Sequence, residues 1–349
     1  MIIIAVWIIA AFTFIQLGVL GYILIRKKRI NDFQNRVQEL YEKLLPPFIR
    51  YISGIEKTEP DLPDSHKLRL EVLQKILNGF SKTLRGESEQ KRIHEIAESH
   101  LALSYREDLK SRTWSKRVNA LFFIEDFHIQ SLKKAVWDHL KLLKEEDEEF
   151  RQALRVLAVL KDERLPIYLF EKDSIEIGLM KELLRRFNCE QIKTIENKIR
   201  ESSGKEHETI LLAFISFCGE DKYLDQLPFV EEMLTDNRKE VRLKALKSIS
   251  SYQYTSKQEN LTEFFQSEHW EERMYAAKIT GIMSLQKLSR ELISLMSDEV
   301  WWVRFAAAEA LWKLPDGEIL LEFVANEHED KFARDMARQT MTQGNGGMQ

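Results

Sequence analysis

Asp298–Leu311 reads DEVWWVRFAAAEAL, and its spacing carries the argument for the fold. Asp298 is placed to accept a free amide from the first turn of a helix. Behind it Val303, Arg304, Ala307, Ala308 and Leu311 recur at helical steps and share one face. The same register stands 31 residues upstream at Arg273 and again 31 residues upstream at Arg242. Six residues before each arginine lies Asp236, Ser267 or Asp298. Three residues after it lies Ala245, Ala276 or Ala307, followed by Leu246, Ala277 or Ala308. A small residue at a fixed place in successive helices lets neighbours approach closely, which stacked repeats require.

The register extends outward from this block. Arg117 keeps it, with Ser111 at the cap position and Ala120, Leu121 and Ile124 behind. Arg334, with Ala337 and Met341, opens a partial last copy, and degenerate copies are expected near Arg151, Leu179 and Ile210. A helical pattern also precedes the caps, as at Leu261–Phe265 and Leu288–Leu295, so each unit reads as a helical hairpin. Composition agrees. The 349 residues hold only 13 Gly and 7 Pro, too few turn-makers for anything but an all-α chain and too few glycines for phosphate-cradling loops.

The pattern Asp-x4-Val-Arg-x2-Ala-Ala-x-Ala-Leu is complete at Asp298, Val303, Arg304, Ala307, Ala308, Ala310 and Leu311. It is clear at Asp236, Val241, Arg242 and Ala245, and weaker at Ser267, Arg273, Ala276 and Ala277, where Glu272 replaces the valine. This pattern resembles the HEAT-repeat family, and the short period looks like its bacterial, phycobilin-lyase-like subgroup. Residues 236–314 carry the resemblance clearly and 111–341 loosely. It implies a right-handed α-solenoid whose second helices line a concave surface, with a scaffold or recognition role and no chemistry. It also implies that Asp236, Arg242, Arg273, Asp298 and Arg304 form a structural ladder along the stack.

The N-terminal end reads differently. Ile2–Ile25 carries no charge over 24 residues, about 36 Å of helix against a hydrocarbon core of ~30 Å, so 1–25 is expected to be a transmembrane anchor. A cleaved secretory signal fits less well, because the start is uncharged and the apolar run is long. Arg26, Lys27, Lys28 and Arg29 follow at once and would sit at the lipid interface. With no Lys or Arg before the stretch, the N-terminus would lie outside and the bulk of the chain in the cytoplasm, a single-pass cell-membrane protein. Residues 26–57 hold eight basic and four acidic side chains, net +4, which leaves −8 on the body. Within this basic amphipathic segment Ile30, Phe33, Val37, Leu40 and Leu44 form a two-heptad seam, expected to end at Pro46-Pro47. The seam at 30–44 would pair protomers, lie on the inner leaflet, or fold back on the body. Residues 58–65 (TEPDLPDS) read as a linker, 66–110 as a helical cap on the solenoid of 111–341, and 342–349 as a disordered tail.

No catalytic constellation emerges. His94 and His100 in HEIAESH are six apart, so two imidazoles cannot share a helix face as a zinc protease needs, and the segment reads as polar surface. Cys189 and Cys218 read as two buried thiols, and Lys144–Glu149 (KEEDEE) and Lys161–Arg164 as solvated helix ends or loops. Neither a metal nor a cofactor is expected, and a net charge of −4 argues against nucleic acid. Trp114, Trp270 and Trp301 each precede a repeat arginine by three residues, a repetition that suggests packing between repeats. Trp302 falls one position on. It heads the column Trp302, Ala306, Glu309, Lys313, matched by Glu271, Tyr275, Lys278, Ile282 and by Glu240, Lys244, Lys247, Ser251. Exposed aromatics ringed by charge are the composition of a protein contact. The expected partner-binding residues, facing solvent in the concave groove, are therefore Lys244, Lys247, Tyr275, Lys278, Trp302 and Lys313, on a non-enzymatic, membrane-anchored adaptor for a membrane-bound enzyme complex. Two other readings stay open: a HEAT-like enzyme of bilin-lyase or DNA-glycosylase type, and a homo-oligomeric membrane organiser joined through 30–44.

Overall fold

The computed structural model describes residues 2–84, 86–144, 146–172, 175–202 and 207–346, with side chains described at Trp7 and between Phe12 and Gln343. Among these residues there are helices and no strand. The chain forms two compact units, Met1–Asp162 and Glu163–Gln349. The first holds α1 (Ile2–Ile52), α2 (His66–Thr83), α3 (Glu87–His100), α4 (Ala102–Asp108), α5 (Trp114–Asp126), α6 (Lys133–Leu140) and α7 (Glu148–Val159). The second holds α8 (Leu165–Glu171), α9 (Ile177–Leu184), α10 (Cys189–Glu201), α11 (Glu208–Glu220), α12 (Leu227–Glu232) and α13 (Lys239–Tyr252). It continues with α14 (Leu261–Phe264), α15 (Trp270–Ile282), α16 (Ser289–Leu295), α17 (Trp301–Trp312), α18 (Gly317–Glu327) and α19 (Lys331–Gly346). This is a solenoid-like repeat of helical hairpins. In the second unit α11, α13, α15, α17 and α19 are successive second helices, and the degenerate copies near Arg151, Leu179 and Ile210 are α7, α9 and α11.

The repeat is closed by a turn that glycine counting could not reveal. His128, Lys161, Lys222, Gln253 and Ser284, one or two residues beyond α5, α7, α11, α13 and α15, all take positive φ, from 51° to 60°. At four of these turns the amides of Ile129, Asp162, Tyr223 and Leu285 reach back five residues to the carbonyls of Ile124, Leu157, Cys218 and Thr280. These bonds satisfy carbonyls that the helix end leaves open. Short 3-10 turns at Gln130–Leu132, Leu224–Gln226, Gln258–Asn260 and Gln286–Leu288 then lead into α6, α12, α14 and α16. The copy at α9 has no positive-φ residue after it.

Packing follows the small-residue columns. Ala245, Ala276, Ala307, Leu246, Ala277, Ala308, Ile249, Thr280 and Leu311 are all fully buried. The tightest approach lies elsewhere on the same helices. A Cβ on Gly219 would stand 2.5 Å from Ser248 Cα, and one on Gly281 would stand 2.6 Å from Ala310 Cα. Glycine is required at both because the facing atoms are backbone.

Two expectations for the N-terminal segment are corrected, and a third takes one of its alternatives. Among the described residues no helix is long and apolar enough to cross a membrane, which overturns the anchor at 1–25 and the single-pass membrane location built on it. Side chains of residues 2–6 and 8–11 lie outside the described set. Beyond Ile25 the same 51-residue helix continues without a break through Arg26, Lys27, Lys28 and Arg29, all exposed.

Pro46-Pro47 also does not end the helix, which runs to Ile52. Two lost donors cost roughly 3 kcal/mol each. Phe48 and Ile52 in the following turn are fully buried, and each contributes about 1.5–3 kcal/mol by leaving water.

Finally, the 30–44 seam is filled within the chain. Val37 and Leu44 are buried, Lys67 lies over the Phe33 ring at 4.3 Å and Lys75 over the Tyr41 ring at 4.6 Å. The seam therefore packs on α2, the fold-back alternative, and leaves only Ile30 outward. At the other end α19 extends to Gly346, so helix covers the start of the stretch expected to be a disordered tail. Residues 347–349 lie outside the described residues.

Candidate functional site

The face on α13, α15 and α17 is set by the loops that launch these helices. Asp236, Ser267 and Asp298 do not cap them directly. Each side chain accepts the amide two residues on, Arg238 at 2.8 Å, His269 at 3.0 Å and Val300 at 2.8 Å, forming a tight turn before the helix begins. Ser111 and His328 make the same turn with the amides of Thr113 and Asp330. The repeat arginine then locks the turn from behind. Arg117, Arg242, Arg273, Arg304 and Arg334 each donate to the carbonyl six residues back, at 2.6–3.0 Å.

The other edge of each guanidinium reaches the next repeat where a carboxylate is present. Arg273 forks onto Asp298 at 2.6 and 3.0 Å, and Arg242 reaches Glu272 at 2.9 Å. Glu272 is 2% exposed and also accepts from the Ser267 hydroxyl. Where the cap position is serine, the glutamate in the valine position thus supplies the missing carboxylate. In the first unit Arg117 forks onto Glu149 at 2.6 and 2.7 Å. Breaking a buried pair of this kind costs about 3–5 kcal/mol. Asp236 is held within its own turn by Arg238 at 2.7 Å, because Leu211 stands one period before Arg242. The Arg238 hydrogen bond keeps the Asp236 carboxyl below its usual range. Arg304 has no carboxylate: residue 328 is histidine, the Arg304 Nε is buried without a partner, and the guanidinium lies over Phe332 at 5.3 Å.

On the outward side of the three helices Lys247, Lys278, Trp302 and Lys313 are exposed, while Lys244 and Tyr275 are half-buried. Trp302 is 57% exposed and meets Trp301 edge-on at 4.8 Å. Trp301 stacks on Phe305 at 5.0 Å. Lys278 stands 5.9 Å from the Tyr275 ring centre, whose hydroxyl burial pushes upward in pKa. Lys239 on α13 crosses to Glu271 on α15 at 3.0 Å. The result is an aromatic cluster on α17 beside a lysine-bearing surface on α13 and α15. Packing between repeats is not the role of every column tryptophan: Trp301 is 42% exposed and Trp114 is 48% exposed. Trp301 belongs with Trp302, and the period alone could not distinguish a packed indole from an outward one.

Other sequence candidates also move. His94 is half-buried and stacks on His128 at 4.6 Å, and burial with the like charge of His128 holds it down to about 4. His100 instead pairs with Glu59 at 2.8 Å. Cys218 is buried but Cys189 is exposed. Within the acidic run Glu149 is 1% exposed, receiving His139 as well as Arg117, and Asp147 caps α7 through the Phe150 amide. Asp162, in the second charged run, is buried too. Among the described residues no three His, Cys, Asp or Glu side chains gather as a metal site would need.

Among comparisons with known proteins, a family-model match bears on the repeat architecture. A search of curated proteins finds no match. Among solved structures, an engineered protein aligns at 13% identity, covering 80% of this chain and 96% of its own, with a TM-score of 0.35. A designed armadillo repeat protein aligns at 15% identity over 68% of this chain and 98% of its own, TM-score 0.25. Human deoxyhypusine hydroxylase, solved with glycerol, aligns at 14% identity over 88% and 98%, TM-score 0.29. The HEAT-repeat family model matches residues 289–314, the hairpin of α16 and α17 that carries Asp298, Arg304 and Trp302.

Proposed function

We propose that this chain is a non-enzymatic scaffold built from short HEAT-like repeats of the bacterial, bilin-lyase-like kind, which binds a protein partner through the outward face of α13, α15 and α17. Trp302 and Tyr275 anchor the contact by burying ring surface, and Lys244, Lys247, Lys278 and Lys313 select a partner surface of acidic character. The observation that carries this reading is the exposed Trp302, held edge-on by Trp301 and flanked by lysines on successive repeats. A large aromatic left in water with a fixed orientation is the usual anchor of an interface, and charge at its rim governs encounter and specificity.

The test is crosslinking in cells with the full chain, comparing wild type with Trp302→Ala/Tyr275→Ala. At least one partner protein should disappear from the crosslinked set while the circular dichroism of the variant stays unchanged. An identical set of partners for both chains would refute the assignment.

A further inference from the structure

The first unit carries a second recognition feature, independent of the α13–α17 face. Between the end of α4, the loop before α5 and the helix α6 lies a cleft of about 760 Å³. Leu109, Leu142 and Leu143 give it an apolar lining, and Arg106, Lys110 and Lys134 give it charge. Leu109 is buried, whereas Leu142 is 76% exposed, so the apolar surface runs from the floor out to the rim.

Among the described residues the cations at the cleft are not all matched by acidic partners. Arg117, also on the lining, is neutralised by Glu149. Among the described residues Arg106, Lys110 and Lys134 have no carboxylate within ion-pair distance. Among the described residues Asp138 is the one carboxylate on the lining. A concave surface of this size, partly apolar with a few convergent charges, has the composition of a ligand site. It also stands out from a chain whose residues beyond 57 sum to −8.

We infer that this cleft binds a short acidic peptide segment of a partner protein, with an apolar side chain seated against Leu109, Leu142 and Leu143 and flanking carboxylates on Arg106, Lys110 and Lys134. Charge complementarity decides the class. The three cations come from two separate elements, α4 with its following turn and α6, an arrangement suited to several carboxylates spaced along a chain. A single head group would need them gathered at one point. The exposed rim at Leu142 suits a segment lying across the cleft better than an enclosed acyl tail.

The probe is a fluorescein-labelled, glutamate-rich peptide with a central pair of leucines, titrated against the full chain by fluorescence anisotropy. Binding should weaken with added salt. It should fall about tenfold or more in Arg106→Glu/Lys134→Glu and in Leu142→Asp, all three positions being exposed and so free of folding effects. Lys193→Glu on α10 should leave it unchanged. No binding by the wild type, or equal affinity in the charge-reversed variant, overturns the proposal. Displacement of the peptide by decanoate at matched concentration also overturns it and assigns the cleft to small amphiphilic carboxylates. None of these outcomes bears on the crosslinking test of the α13–α17 face.

Discussion

The same substitution, glycine to alanine, should have opposite signs at two helical sites. At Gly281 on α15 the new Cβ would stand 2.6 Å from Ala310 Cα and 2.8 Å from Ala310 Cβ on α17. Carbons normally rest about 3.5–4.0 Å apart, so the helices must separate by about 1 Å. Nothing at the contact can rotate away, because the nearest atom is backbone. Overpacking costs about 1–3 kcal/mol, and a gap of this size forfeits a quarter to a half of each dispersion contact it opens. Ala276, Ala277, Thr280, Ala307, Ala308 and Leu311, all fully buried, line these two helices. Against this, alanine gains about 1 kcal/mol in helix propensity over glycine. The net expectation is a loss of about 2 kcal/mol.

At Gly79 on α2 a Cβ meets nothing within 4 Å, so only the propensity gain of about 1 kcal/mol remains. Urea unfolding followed by far-UV circular dichroism checks both. With a slope of about 1–3 kcal/mol per molar, the Gly281→Ala midpoint should drop by roughly 1 M and the Gly79→Ala midpoint should rise by less. Repeat arrays need not unfold in one step, so the comparison belongs to the transition of the unit that carries each site. A neutral or stabilising Gly281→Ala would mean that α15 and α17 do not touch at Gly281, and the stacking account would fail with it.

Two further outcomes follow from the turns and the buried acid. Gln253→Gly should stabilise by about 0.5–1 kcal/mol, since left-handed backbone is strained for a side chain and free for glycine. A thermal melt with no rise in midpoint would count against the left-handed turn. Burial would raise the Glu149 carboxyl, but hydrogen bonds from Arg117 and His139 bring it below its usual 4.5. The unfolded chain therefore binds more protons near that pH, so this contribution is complete above about 4.5 and lost as pH falls through the lower folded value. Glu149→Gln should flatten the acid limb of the stability curve; an unchanged limb would exclude Glu149 as its source.

Much of the fold was legible because it is periodic. Arg242, Arg273 and Arg304 mark the 31-residue unit, and the alanines behind them mark the buried face, since helical spacing alone decides which side chains share a face. The column containing Trp302 was legible for the same reason. The closing turns were not, because His128, Lys161, Lys222, Gln253 and Ser284 adopt a conformation usually signalled by glycine. The exposure of Trp301 and Trp114 depends on what the neighbouring helix covers, which no spacing reports. The length of α1 was not legible either, since Pro46-Pro47 is a helix end only when nothing beyond it is buried.

Sequence alone thus determined the repeat length, the all-helical class and the residues able to face outward, all of them consequences of backbone periodicity acting within one segment. Tertiary structure decided how each charge is satisfied: that Glu272 stands in for a missing aspartate, that Glu149 turns inward from an acidic run, and that Arg304 rests on Phe332 without a carboxylate. Those outcomes depend on which side chain a separate stretch of chain brings within about 3 Å of a desolvated group, and burial makes an unmatched charge too costly to leave to chance.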